Sequence, residues 1–163
     1  MKHNEALLAA AKVMDDLQSH CERIAIAGSL RRGKADVGDI EVVCIPKPYD
    51  VGLFESGIAT VVERWPKVRG ELPCKYTRRV LPDGIELDLF FATRENWANI
   101  LAIRTGSAAW VAKVLAARWV ELGYHSKGGI LERDGEQVIV KTEEELFDLL
   151  GMEHVWPGDR EVA

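Results

Sequence analysis

The sequence has little that would tie a chain together covalently or through soft metal ligands. Its 163 residues include three cysteines, Cys21, Cys44 and Cys74, an odd number with no CxxC spacing. That argues against a disulfide framework and a thiolate zinc site, and for a reducing, cytoplasmic compartment. The histidines, His3, His20, His125 and His154, show no HxH or HxxxH spacing, so a histidine metal site is not indicated. Apolar runs fall far short of the ~20 residues a membrane helix needs, so no membrane partner is expected. Met1-Lys2-His3-Asn4-Glu5 leads into a stretch that keeps Lys12, Asp15 and Asp16, unlike a secretion signal. Positive charge is in deficit: 21 basic against 26 acidic residues leave a net charge of −5, unsuited to holding nucleic acid by bulk electrostatics. Any phosphate-handling surface must be local.

What is present is the composition of a globular protein, 47% hydrophobic and 29% charged, enough for one ordinary domain or two small subdomains sharing a core. Residues 6–20 place Leu7, Ala10, Ala11, Met14 and Leu17 at the spacing of an amphipathic helix. Arg23 to Ala27 reads as a buried strand running into Gly28-Ser29-Leu30-Arg31-Arg32-Gly33, and Asp39 to Ile45 as a second, stopped by Pro46 and Pro48. A helix is expected over 52–64, with Leu53, Ile58, Val61 and Val62 apolar. Strands from Tyr76 to Leu81 and from Ile85 to Phe91 flank the breaker Pro82-Asp83-Gly84. From Arg94 the texture turns helical, with helices over 95–103 and 108–122 and a plausible terminal glycine at Gly123. A small hairpin follows around Arg133-Asp134-Gly135-Glu136, and Thr142 to Glu145 reads as a capping box opening the last helix. The expected fold is α+β: a strand-rich half over 1–92 and a helix-rich half with a hairpin over 93–163.

Asp39 and Glu41, two apart on one strand, project from the same face ~6.6 Å apart. Asp88 interrupts the apolar run Leu87-Asp88-Leu89-Phe90-Phe91, where an unpaired carboxylate would be costly. Converging on one sheet face, the three would make an all-oxygen site suited to Mg²⁺ or Mn²⁺; singly, each could point to solvent. The turn Gly28-Ser29, eleven residues before Asp39, offers backbone N–H groups and a hydroxyl to an anion. Arg31, Arg32 and Lys34 concentrate positive charge beside it. A phosphate-cradling loop next to metal-holding carboxylates is a working layout for phosphoryl or nucleotidyl transfer.

Gly28-Ser29-Leu30-Arg31-Arg32-Gly33, then Gly38-Asp39-Ile40-Glu41, then Leu87-Asp88-Leu89, resembles the signature of the polymerase-β-type nucleotidyltransferases, and most of all the family X DNA polymerases. Arg104-Thr105-Gly106-Ser107 is similar to the family's Phe-Thr-Gly-Ser turn, and the segment from Glu145 to Glu161 to its closing helix and Pro-containing end. The resemblance implies a palm over 1–92, a mixed or antiparallel sheet with helices on one face, and a nucleotide-binding subdomain over 93–163. It implies that Asp39, Glu41 and Asp88 are catalytic and bind two Mg²⁺ ions, for which Mn²⁺ can substitute. It further implies that Gly28, Ser29, Arg32 and Gly38 handle the triphosphate, and Ile103, Arg104 and Gly106 the sugar and base. The partners implied are a nucleoside triphosphate and primed or gapped DNA, bound weakly by a monomer.

The chain departs from that pattern in several places. Glu41 stands where polymerases usually carry Asp, Ile103 and Arg104 replace an aromatic pair, and Glu86 replaces a basic residue. Ala108, Val111 and Leu115 are expected along the face where the best-known members carry polar residues that read the nascent pair. Template-independent transfer to a nucleic-acid end, a protein or a small molecule is therefore the alternative, and a degenerate binding module the third possibility. Arg69, Lys75, Arg78 and Arg79 make a basic stretch with two readings, a solvated face or a primer-phosphate contact. Trp97, Trp110 and Trp119 are expected in the core, with Trp65 and Trp156 exposable.

Overall fold

The structure is a computed structural model in which residues 1–48 and 57–162 are described. The first half runs α1 (His3–Leu17), β1 (Cys21–Ile26), α2 (Gly28–Arg31), β2 (Ile40–Pro46), α3 (Ile58–Val62), β3 (Lys67–Arg69), β4 (Tyr76–Val80) and β5 (Glu86–Phe91). The second half opens with α4 (Trp97–Thr105) and α5 (Ala108–Trp110), which passes through a π-helical stretch, Val111–Ala116, into α6 (Ala117–Glu121). A small sheet of β6 (His125–Lys127), β7 (Ile130–Arg133) and β8 (Glu136–Val138) follows, then α7 (Glu143–Leu149). The architecture is α+β. The part of the expected helix before residue 57, with Leu53, lies outside the described residues. No described helix is long and apolar enough to cross a membrane.

The main sheet has the order β1-β2-β5-β4-β3, with β2 and β5 parallel and the other neighbours antiparallel. Side chains alternate between its faces, and the two faces do different work. Ile40, Val42 and Cys44 of β2, with Leu87 and Leu89 of β5, pack against Ala6, Ala10, Val13 and Leu17 of α1 and Val62 of α3. On the other face Val43, Ile45 and Phe90 meet Trp97 and Leu101 of α4. Helices therefore cover both faces, not one, because α4 comes across from the second half. Glu41 and Asp88 share that second face, beyond the part α4 covers. A separate core in the second half joins Trp110, Leu115, Trp119, Leu146 and Phe147.

Several local expectations shift by one position. The buried stripe of α1 is Ala6, Ala9, Ala10, Val13 and Leu17, leaving Leu7 46% exposed: small side chains let the helix approach the sheet closely. Thr142 Oγ1 accepts from Glu145 N–H, but the Glu145 carboxylate caps Lys141 N–H, so the capping box is only half formed. The hairpin turns on Asp134 and Gly135, both at positive φ, and β6 extends it to three strands. Trp97, Trp110 and Trp119 are buried as expected; Trp65 is buried too, while Trp156 is exposed.

Candidate active site

Parallel pairing of β2 with β5 sets Glu41 directly beside Asp88, and Asp39 stands one residue before β2 begins. Burial of Asp88, only 6% exposed, demands a partner, and β4 supplies it. Arg78, cross-strand from Asp88, donates from Nε to Asp88 Oδ1 (2.6 Å) and from Nη2 to Oδ2 (2.5 Å), a bidentate fork. The same Nη2 reaches Asp39 Oδ2 at 3.2 Å, and Nη1 reaches Glu86 Oε2 at 2.9 Å. Tyr76, on the same face, donates its hydroxyl to Asp88 Oδ1 at 2.8 Å. Among the described residues no three His, Cys, Asp or Glu side chains stand close enough to hold a metal ion. A guanidinium stands between the carboxylates instead.

The charges leave their mark on acidity. Burial, then the neighbouring Asp39 and Asp88 carboxylates, push the Glu41 pKa up to about 7 despite Arg32 and Arg104. Asp39 is raised by burial and by Asp88, with Arg78 pulling the other way. The bond to Asp88 raises Arg78, so it stays charged. Carboxylates crowded enough to repel one another fit a cation, and the point shared by Asp39 and Asp88 already holds a cationic nitrogen. Their oxygens are the hard donors that suit Mg²⁺ or Mn²⁺.

The loop before β2 leads to the same place. Gly28, at φ +63°, opens α2 and lies against the Glu41 carboxylate. Ser29 is half-buried in the first turn, whereas Gly38 is exposed. Arg32 donates to the Thr105 carbonyl at 2.8 Å and to Glu161 Oε1 at 2.6 Å. Lys34 shares that carboxylate at 3.0 Å, and the two cations hold Glu161 below its ordinary pKa. An open cleft of about 500 Å³ runs between the halves, lined by Arg32, Glu41, Ile103, Arg104, Gly106 and Ser107, with Ala108, Val111 and Ala112 as its apolar wall. The Arg104 guanidinium lies 4.1 Å over the Phe90 ring, a cation–π contact.

Two sequence expectations fail here. Leu115 is fully buried, because the π-helical stretch turns its face inward and presents Ala112 to the cleft. Arg79 is 4% exposed, bonded to Thr77 Oγ1 and the Trp65 carbonyl, so it is structural; only Arg69 and Lys75 of the basic stretch stay exposed and unspent on these carboxylates. Tyr76 carried no sequence signal, and Glu161 stood out only as part of the Pro-containing end, with no role of its own. Glu143 binds Arg31 (2.6 Å) and the fully buried Arg160, clamping the Gly28-to-Gly33 turn to α7. No protein-family model matches the chain, and no curated protein matches its sequence.

Proposed function

We propose that the chain is a nucleotidyltransferase of the polymerase-β type, a minimal family X-like enzyme. It adds a nucleotide from a nucleoside triphosphate to the 3′-hydroxyl of primed or gapped DNA, with the five-stranded sheet as its palm. The observation that carries this is Glu41 beside Asp88 on paired strands, with Asp39 tied to Asp88 through Arg78, and Glu41 itself lining a cleft together with Arg32 and Arg104. Asp39, Glu41 and Asp88 would hold two Mg²⁺ ions, whose chemistry when bound is to lower the hydroxyl pKa and neutralise the triphosphate.

The chain's own residues divide the remaining work. Ser29 and Arg32 receive the β- and γ-phosphate oxygens, Arg32 exchanging Glu161 for phosphate. Gly28 leaves room for Glu41, and Arg31, fixed by Glu143 and Thr105, keeps the loop in place. Ile103, Arg104 and Gly106 border the sugar and base. Asp88, steadied by Tyr76, faces the attacking hydroxyl. With little exposed positive charge near the site, DNA is held weakly. Non-templated transfer has one observation in its favour: Ala108, Val111 and Ala112 offer no polar side chain with which to read a base pair.

Primer extension with each dNTP and rNTP offered singly, with and without a template strand, tests both. Mg²⁺-dependent addition of the templated nucleotide is expected. Equal addition without template would move the chain to the alternative, and no addition to any end would remove the proposal.

A further inference from the structure

Arg78 spends its guanidinium on three carboxylates at once: the fork onto Asp88, the shared Nη2 contact to Asp39, and Nη1 on Glu86. The contacts are unlike in kind. Asp39 and Asp88 belong to the reactive cluster, and the Asp88 side chain is only 9% exposed. Glu86 sits at the start of β5, opposite Val80, with its side chain 46% exposed. A guanidinium and a divalent cation cannot share the same carboxylate oxygens, since like charges at contact distance in a half-buried site repel strongly.

We propose that Arg78 is the resident counter-ion of this site, competing with a divalent cation for Asp39 and Asp88, and that Glu86 is the position to which it withdraws when the cation enters. The proposal rests on the nucleotidyltransferase reading, in which those two carboxylates hold metal. Without Arg78, Asp39, Asp88 and Glu86 would lose the cation they share; with it, a bare metal ion must displace a bidentate, charge-assisted pair. Nη1 is already bonded to Glu86, so withdrawal gives up Asp88 and Asp39 without releasing the side chain. Metal loading is thereby coupled to the triphosphate, which brings its own oxygen ligands. Glu86 is then a positioning residue, neither a fourth metal ligand nor a bystander.

Mn²⁺ binding to the nucleotide-free protein, followed by the EPR signal of free Mn²⁺, tests this without turnover. Arg78→Met should tighten Mn²⁺ binding about tenfold or more, the scale of a lost charge-assisted pair. Arg78→Lys keeps the charge and loses the fork, so it should tighten binding about two- to fivefold and covers the case in which the methionine variant does not fold. Glu86→Gln should weaken binding several-fold alone and have no effect when combined with Arg78→Met. Binding no tighter than wild type in both arginine variants would overturn the counter-ion role. A Glu86→Gln loss that persists in the double variant would make Glu86 a ligand and overturn the withdrawal. If Mn²⁺ behaves as expected but no end is extended, the counter-ion stands and the polymerase reading falls; if no variant binds Mn²⁺ even with dNTP, both fall.

Discussion

A Cβ built on Gly28 would lie 1.7 Å from Oε2 of Glu41: the turn that opens α2 is shaped to leave room for that carboxylate. Gly28 also sits at φ +63°, where any other residue adds backbone strain. Gly28→Ala should therefore cost ~2–3 kcal/mol in urea unfolding and displace Glu41. In a Glu41→Ala background, which removes the carboxylate but keeps the Cβ 3.0 Å away, the same change should cost clearly less, about 1–2 kcal/mol. Equal costs in the two backgrounds would mean that the contact carries nothing.

Glu41 makes stability depend on pH in an identifiable direction. Its folded pKa, about 7, is raised above an ordinary glutamate, so the native state holds a proton that the unfolded chain has released. Stability in EDTA should then fall as pH rises from about 4.5 to about 7 and stay low above it. Glu41→Gln should raise the melting temperature at pH 8 and leave it nearly unchanged at pH 5, a pattern visible by calorimetry. Destabilisation at pH 8 would show that the ionised carboxylate is well solvated.

Much of this site is legible in the chain, and the legible part is local. The segments Tyr76 to Leu81 and Ile85 to Phe91 lie on either side of Asp83, so a hairpin about that residue puts Arg78 opposite Asp88. The pairing of Glu41 with Asp88 is different: parallel strands joined by a long connection take their register from packing on both faces, which spacing does not encode. The same holds for Arg31 with Glu143, 112 residues apart. Leu115 misleads because a 3.6-residue period puts it on the face of Ala108 and Val111, while the π-helical stretch advances the face by one residue. Alanine also misleads in α1, where Ala6 and Ala9, not Leu7, meet the sheet.

Glu143 is the hinge of the clamp between the halves. Burial acts to raise its pKa, but hydrogen bonds from Arg31 and Arg160 prevail and lower it. A depressed carboxylate contributes stability above its unfolded pKa, and that stability should be lost as pH falls below about 4.5. Glu143→Gln removes the charge beside fully buried Arg160 and should cost about 3–5 kcal/mol at pH 7 in urea unfolding. A cost under ~1 kcal/mol would show that water reaches Arg160 readily.

DNA affinity should respond to salt only gently. With Arg79 buried and Arg78 committed to carboxylates, Arg69 and Lys75 are the cations of that stretch left for phosphate. Two contacts give a log–log salt slope near about −1.8 on duplex DNA, measurable by fluorescence anisotropy. A slope near about −4 would mean that further cations reach the backbone, Arg78 among them.

Turnover of Asp88→Asn tests nucleotidyl transfer at these carboxylates most directly. The substitution keeps the size of the side chain that Tyr76 and Arg78 hold, and removes the charge that the proposed reaction sets against the attacking hydroxyl. The expected result is a kcat lowered by ~10²–10³, the loss of roughly 3–4 kcal/mol of transition-state stabilisation, with nucleotide affinity in Mg²⁺ within a few-fold of wild type. Near-normal turnover in that variant would contradict it, making Asp88 only the buried half of an ion pair.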